Sequence, residues 1–351
     1  MMSSAPRVSL NDLEARLEVL KPDDLRICRF LGAGGYGEVY LCKWASVDVA
    51  VKSLSPSLLG HCPDGLGRSV SNDAAAELIK EAMMLASLRH PNVVWVYGIV
   101  LPPNLELVKQ AAHRLGGDKQ IDAVTLTTDA ASRGAIMPGM VRAPALVTEF
   151  MAGGSVRAAL NRKADFLRPA MARIKLALDT ARGMEYLHAK RIVHFDLKAA
   201  NVLVGWREGA AMAKVADFGL SKQRQQTFVT GVNSLRGTLP WTAPEIIHSP
   251  KAVTEKVDVY SFGVTLWELW TGREPFDGLN YHALLHQMSS AKGLRPPLPG
   301  AAEWEGDPIE ELLPGWVALM TECWAEDPDA RPPFSAVVAR LQSMMVEARL
   351  A

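Results

Sequence analysis

Apolar and polar positions alternate from residue 25 onward. Leu25, Ile27 and Phe30 lead into a glycine cluster, Val39 and Leu41 interleave with Tyr40, Cys42 and Trp44, and Val47-Asp48-Val49-Ala50-Val51 follows. A period of two marks pleated strands, so 25–54 predicts three antiparallel strands. Over 74–88 the spacing becomes helical, with Leu78, Glu81, Leu85 and Leu88 on one face, and His90-Pro91-Asn92 breaks it. Residues 93–100 and 145–151 are β-branched and aromatic and predict two more strands, the second ending at Gly153-Gly154. Between them, 102–144 is a mixed Pro, Gly, Ala and Asp stretch of weak periodicity. That is too long for an ordinary loop and reads as an insertion. Further on, helices are predicted at 169–189, 254–271, 281–289, 314–324 and 333–348, with a Pro- and Gly-rich connection over 290–312. Near the start, Leu13, Leu17 and Leu20 predict a short amphipathic helix that docks on the main domain or frays.

The order of elements gives an α+β architecture: an extension over 1–24, a small antiparallel β lobe with one helix over 25–150, and a larger, mainly helical lobe over 151–348, joined near 149–155. With 351 residues, 48% of them hydrophobic, the chain has ample material for packed cores. Lys+Arg and Asp+Glu are both 38, which gives no bulk charge to hold nucleic acid or a membrane surface. Cys28, Cys42, Cys62 and Cys323 lack metal-ligand spacing and read as the reduced thiols of a cytoplasmic protein. No apolar run approaches the ~18 residues of a membrane span. The N-terminal residues lack a signal-peptide core, and Met2 stands where a myristoylated chain needs glycine.

The chemistry-bearing positions are ordered along the chain. Gly32-Ala33-Gly34-Gly35-Tyr36-Gly37-Glu38-Val39 contains G-x-G-x-x-G, whose missing side chains let backbone N–H groups approach phosphate oxygens. A strand follows it rather than the helix of a dinucleotide fold, and no G-K-[ST] is present, so the pattern suits a strand–loop–strand flap over a nucleotide. Lys52 ends the apolar strand Val49-Ala50-Val51. Glu81 is a charge on the buried stripe of the 74–88 helix and needs a cation, for which Lys52 is the natural partner and Glu77 the competing carboxylate. His194-Phe195-Asp196-Leu197-Lys198-Ala199-Ala200-Asn201 lies between a helix and the strand Val202-Leu203-Val204. Asp217-Phe218-Gly219 and Ala243-Pro244-Glu245 come after it.

Taken together, these motifs resemble those of eukaryotic-type protein kinases over roughly residues 25–345. The resemblance implies the bilobal protein kinase fold, ATP and Mg²⁺ as cofactors, protein substrates, and no nucleic-acid partner or membrane insertion. It implies that Asp196 accepts or orients the acceptor hydroxyl's proton, that Lys198 neutralises charge on the γ-phosphate, and that the Lys52–Glu81 pair addresses the α- and β-phosphates. Asn201 and Asp217 would hold the metal. Leu31, the residues Gly32 to Gly37, Val39, Ala50 and Leu203 would enclose the nucleotide. Backbone groups from Glu149 to Met151 would meet the adenine edge, with Thr148 at the back of the pocket. Asp258 would fix the catalytic-loop backbone, Glu245 would pair with Arg331, and His194 would pack rather than transfer protons.

Phe195 stands where many kinases carry an arginine that a phosphate on the activation segment pairs with. Activity independent of phosphate on Thr227, Thr230 or Ser234 through this contact is therefore expected, although Arg224 and Arg236 remain as other basic partners. Lys198 and Gly237-Thr238 resemble Ser/Thr kinases, whereas Ala199-Ala200 resembles tyrosine kinases. Gly237-Thr238-Leu239-Pro240-Trp241, Leu294-Arg295-Pro296, Cys323-Trp324 and the His-Phe-Asp variant together resemble the Raf-like Ser/Thr kinases of the tyrosine-kinase-like group. The alternatives are a pseudokinase that holds ATP without transfer, and a tyrosine or dual-specificity kinase.

Overall fold

The computed structural model describes residues 17–34, 37–53, 81–82, 84–101, 145–223, 238–248, 253–290, 293–301, 304 and 312–350. Leu13, Gly35, Tyr36, Glu77, Leu78, the 102–144 insertion, Arg224, Thr227, Thr230, Ser234, Arg236 and Gly237 lie outside the described residues. The chain forms two compact units, Met1–Arg89 with Trp95–Phe150, and His90–Val94 with Met151–Ala351.

The first unit is a sheet of six strands: β1 (Glu18–Leu20), β2 (Leu25–Gly34), β3 (Gly37–Trp44), β4 (Val47–Ser53), β5 (Val96–Val100) and β6 (Ala145–Glu149), in the order β1-β5-β6-β4-β3-β2. Alternation assigns its two faces. Cys42, Val49, Val51, Ala145 and Val147 are fully buried and form one core with Leu20, Leu25 and Val100, against which Ile27, Tyr40, Trp44 and Tyr97 pack. Residues one step out of phase, Val39, Ala50, Lys52 and Thr148, stand on the opposite face and are only half-buried. Residues 81–82 and 84–86 are helical, as the apolar stripe predicts.

One expectation is corrected at the N-terminal edge. Leu17 and Leu20 are buried, but Glu18–Leu20 is a strand rather than a helix, and it pairs parallel with β5 through Glu18↔Gly98, Val19↔Ile99 and Leu20↔Val100. The small sheet is therefore mixed, antiparallel everywhere except this pair. The cause is tertiary. A Cβ on Gly98 would lie 2.3 Å from the Glu18 carbonyl oxygen, so the bare glycine admits a strand where any side chain would exclude it. Three leucines at helical spacing cannot outweigh a free sheet edge with an apolar floor.

The second unit is mainly helical: α1 (Val156–Asn161), α2 (Ala170–Ala189), α3 (Pro244–His248), α4 (Lys256–Thr271), α5 (Tyr281–Ser290), α6 (Trp316–Cys323) and α7 (Phe334–Leu350). Every residue of α4 from Val257 to Trp270 is buried, as expected of a helix that is apolar all round. Gly272 ends it in the left-handed conformation at φ 72°, where its N–H reaches the Glu268 carbonyl. α2 packs against α7, and α4 against α6. Two short sheets frame the loops of interest. β7 (Gly154–Ser155), β9 (Val202–Arg207) and β10 (Ala210–Val215) form one; β8 (Ile192–Val193) and β11 (Lys222–Gln223) form the other. β10, not predicted from the sequence, pairs with β9 as a hairpin.

Candidate active site

In the first unit the site is a sheet face. The register Val39↔Lys52↔Leu146 and Leu41↔Ala50↔Thr148 puts Val39, Ala50, Lys52 and Thr148 side by side. Lys52 Nζ donates to both carboxylate oxygens of Glu81, at 3.0 and 3.1 Å, and Glu81 is 5% exposed. A carboxylate so buried is stable only with a partner, and the bidentate contact aims the lysine head. Gly32 pairs with Val39 across the flap, and a Cβ at Gly32 would meet nothing within 4 Å. Protein packing thus does not demand a glycine at that position. Leu31 and Ala33 are exposed, and Gly34 pairs with Gly37. At the end of β6, the Glu149 carboxylate accepts the Trp95 N–H at 2.7 Å, and the Glu149 N–H donates to the Trp95 carbonyl at 3.0 Å. The Glu149 carbonyl accepts the Thr148 hydroxyl at 3.4 Å.

In the second unit the site is a pair of loops held from below. Asp258 of α4, fully buried, accepts the N–H groups of His194 and Phe195 at 2.8 and 2.9 Å, and His188 of α2 bonds the same carboxylate at 2.8 Å. These bonds hold Phe195 at φ 68°, a left-handed conformation that costs a bulky residue about 1–3 kcal/mol. His194 is buried, with both ring nitrogens engaged. Nδ1 accepts the Asp196 N–H at 3.2 Å, which leaves the proton on Nε2 for the Ala216 carbonyl at 3.0 Å. Its ring lies 5.1 Å from that of Phe218.

Asp196 sits at the centre. Lys198 Nζ (2.8 Å) and Asn201 Nδ2 (2.9 Å) donate to one carboxylate oxygen. The N–H and hydroxyl of Thr238 donate to the other at 3.1 and 2.8 Å. Thr238 also bonds Lys198 Nζ at 2.5 Å, closing a triangle of base, cation and hydroxyl. Asn201 Nδ2 bonds the Asp196 carbonyl as well, at 2.7 Å, and this turns the Asn201 oxygen away from Asp196. The Ala216 N–H donates to the Asn201 carbonyl at 2.9 Å, which ties the next residue, exposed Asp217 at φ 61°, to the Asn201 loop. One carboxylate and one amide oxygen are hard ligands suited to Mg²⁺, which takes its remaining ligands from phosphates and water. The described residues contain no cluster of three His, Cys, Asp or Glu side chains able to cage a metal. Leu203, on β9 opposite Ser155, is half-buried, and Met151 is buried with its methyl group 2.8 Å from where a Cβ on Gly205 would lie.

Below this, Arg331 makes a bidentate pair with Glu245 at 2.6 and 2.9 Å, both side chains being buried. The sequence reasoning missed Glu268. Fully buried on α4, it accepts the Ala199 N–H (3.0 Å) and Trp241 Nε1 (2.8 Å), with Arg157 NH1 3.4 Å away, and burial pushes its carboxyl up to about 7. The signal was present. Glu268 is a carboxylate among the apolar residues of the C-terminal half of α4, Val264 to Trp270, which is the argument that singled out Glu81.

Comparison with known proteins accounts for this arrangement. Residues 25–114 and 133–341 match the family model described as protein tyrosine and serine/threonine kinase. Similar proteins include the probable serine/threonine-protein kinase drkD of Dictyostelium discoideum, 30% identical over 94% of this chain and 21% of its own length. The serine/threonine-protein kinase STY46 of Arabidopsis thaliana is 32% identical over 90% of this chain and 44% of its own. The Arabidopsis serine/threonine/tyrosine-protein kinase HT1 is 40% identical over 56% and 46%. The chain thus spans less than half the length of these relatives. No helix among the described residues is long and apolar enough to cross a membrane. The bidentate Lys52–Glu81 pair, the Asp196–Lys198–Thr238 triangle and the family match extending over most of the sequence agree, and the chain belongs to the protein tyrosine and serine/threonine kinase family, in its tyrosine-kinase-like group.

Proposed function

We propose that the chain transfers the γ-phosphoryl group of ATP to serine and threonine hydroxyls of protein substrates. The observation that carries this reading is the triangle of Asp196, Lys198 and Thr238, at 2.5–2.8 Å. A carboxylate with both oxygens oriented by donors is set to accept a hydroxyl proton. A lysine fixed beside it supplies positive charge where the transferring group develops negative charge. Thr238 between them favours a short acceptor side chain. Asp217 and the Asn201 oxygen would hold Mg²⁺, which when bound with ATP neutralises phosphate charge. Lys52, aimed by Glu81, would address the α- and β-phosphates. In the first unit, the face bearing Val39, Ala50 and Thr148, with Leu31, the glycines from Gly32 to Gly37 and the Glu149 carbonyl, would receive the nucleoside; in the second unit, Met151 and Leu203 would. The catalytic domain is taken as 25–348 with 1–24 as an extension, and scattered cysteines support a cytoplasmic location.

Labelled ATP with Mg²⁺ and a protein substrate tests the reading. Wild type should transfer phosphate, while Asp196→Asn and Lys52→Met should not, and a wild type that binds ATP without transfer would favour a pseudokinase. A second reading, dual specificity, draws on Ala199-Ala200 and on the printed name of HT1. Phosphotyrosine in the product would decide for it.

A further inference from the structure

A cavity of about 140 Å³ lies where the last turn of α2 meets the first turns of α4 and α7. Its floor is apolar, with Val259 and Phe334 both buried. Acceptors stand around it. Glu185 of α2 is half-buried and makes no hydrogen bond or ion pair with the described residues. Glu255, at the start of α4, brings a second carboxylate. The third acceptor is a ring nitrogen. His188 gives its Nε2–H to the Asp258 carboxylate at 2.8 Å, so in the neutral ring Nδ1 remains an acceptor. Donors are scarce. Lys256 Nζ, the cation of the cavity wall, donates to the Arg331 carbonyl. The N–H groups of Val257 and Asp258 bond the Thr254 and Glu255 carbonyls, and those of Ala336 and Val337 bond the Pro333 carbonyl. The first turns of both helices are thus largely satisfied and oppose a cation only weakly.

Size and chemistry together select the ligand. At roughly 30 Å³ for each water-sized group, the volume holds about four or five heavy atoms. An unbranched chain of about four carbons ending in an ammonium meets both demands. Its stem lies on Val259 and Phe334, and its three N–H donors turn to Glu185, Glu255 and His188 Nδ1. We propose that this cavity is a binding site for a small alkylammonium ligand. It shares no side chain with the nucleotide and metal positions. It adjoins the support of the catalytic loop, because His188 bonds the Asp258 oxygen that also accepts the His194 N–H.

The test uses the full chain without nucleotide and n-butylammonium chloride as the probe. Sodium butyrate and 1-butanol, at matched ionic strength, are the anionic and neutral comparators. Saturation-transfer NMR and thermal melting read the binding. n-Butylammonium should bind with a Kd of about 0.1–10 mM, the range open to so few atoms. At ten times Kd it should raise the melting temperature by about 2–4 °C. Both comparators should bind at least about tenfold more weakly. Glu185→Gln, a swap of nearly equal size at a half-buried position, should weaken n-butylammonium about 3–10-fold. Ser335→Trp, at an exposed position of the cavity wall, should close the mouth and remove the signal. If Ser335→Trp does not fold, Glu185→Gln decides. No binding at about 50 mM probe, equal binding of 1-butanol, tighter binding of butyrate, or an unchanged affinity in Glu185→Gln overturns the proposal. Neither readout requires phosphotransfer, so the proposal stands or falls independently of the kinase reading.

Discussion

The two units solve the same problem, holding charged groups in place, in different ways. In the β unit, Lys52 stands on a sheet face and is aimed by a single bidentate pair with Glu81. Strand register places its neighbours Val39, Ala50 and Thr148. In the helical unit, Asp196, Lys198 and Asn201 lie on a loop that no ladder holds, and α4 beneath them contributes two buried carboxylates, Asp258 and Glu268, that grip the loop by its backbone N–H groups. A pleated sheet orients side chains by itself. An irregular loop does so only when a rigid element saturates its backbone. The helical unit should therefore be the more sensitive to the loss of a supporting polar group.

The largest expected effect is at the centre of that unit. Asp196→Asn cannot accept a proton while its four donors remain, and kcat should fall about 10²–10⁴-fold with little change in melting temperature, as read by a labelled-ATP assay and calorimetry. Next in size, Arg331→Ala leaves Glu245 buried without its partner and should cost about 3–5 kcal/mol in urea unfolding, whereas Lys43→Ala, at an exposed pair of the β unit, should cost about 0–1 kcal/mol.

A pH series sharpens the contrast further. The folded protein retains the Glu268 proton up to about pH 7, while the unfolded chain releases it near the ordinary glutamate value of 4.5. Between those values the native state binds more protons, so this group's contribution to stability is full below about 4.5 and is lost as pH rises through 7. Glu268→Gln should flatten that part of the stability profile. In the β unit, Gly98→Val forces a side chain against the Glu18 carbonyl and should cost about 1–3 kcal/mol. It should also expose residues 17–20 to hydrogen exchange and leave the rest of the sheet protected. The smallest effect is expected of alanine at Thr227, Thr230 and Ser234 together. Phe195 is 4% exposed and carries no donor for a phosphate, so turnover should change less than about threefold. A collapse of activity would mean that another basic group reads a phosphate there.

Much of this was legible in the sequence. Period-two alternation marked β2, β3 and β4, and helical spacing marked α2, α4, α5, α6 and α7, because each element must turn one chemically uniform side toward a core. Buried-charge logic paired Glu81 with Lys52, since a carboxylate on an apolar stripe has to find a cation. Composition and order alone did not decide which edge the N-terminal residues would join. β1 exists because Gly98 leaves room for the Glu18 carbonyl, a fact about two segments about eighty residues apart. Nor did spacing decide that Glu268 would bridge Ala199 and Trp241, although its place in an apolar helix required that it find donors. Local sequence fixes what each segment prefers and which groups must be satisfied. Which partner satisfies them depends on packing between distant segments, and only the folded chain specifies it.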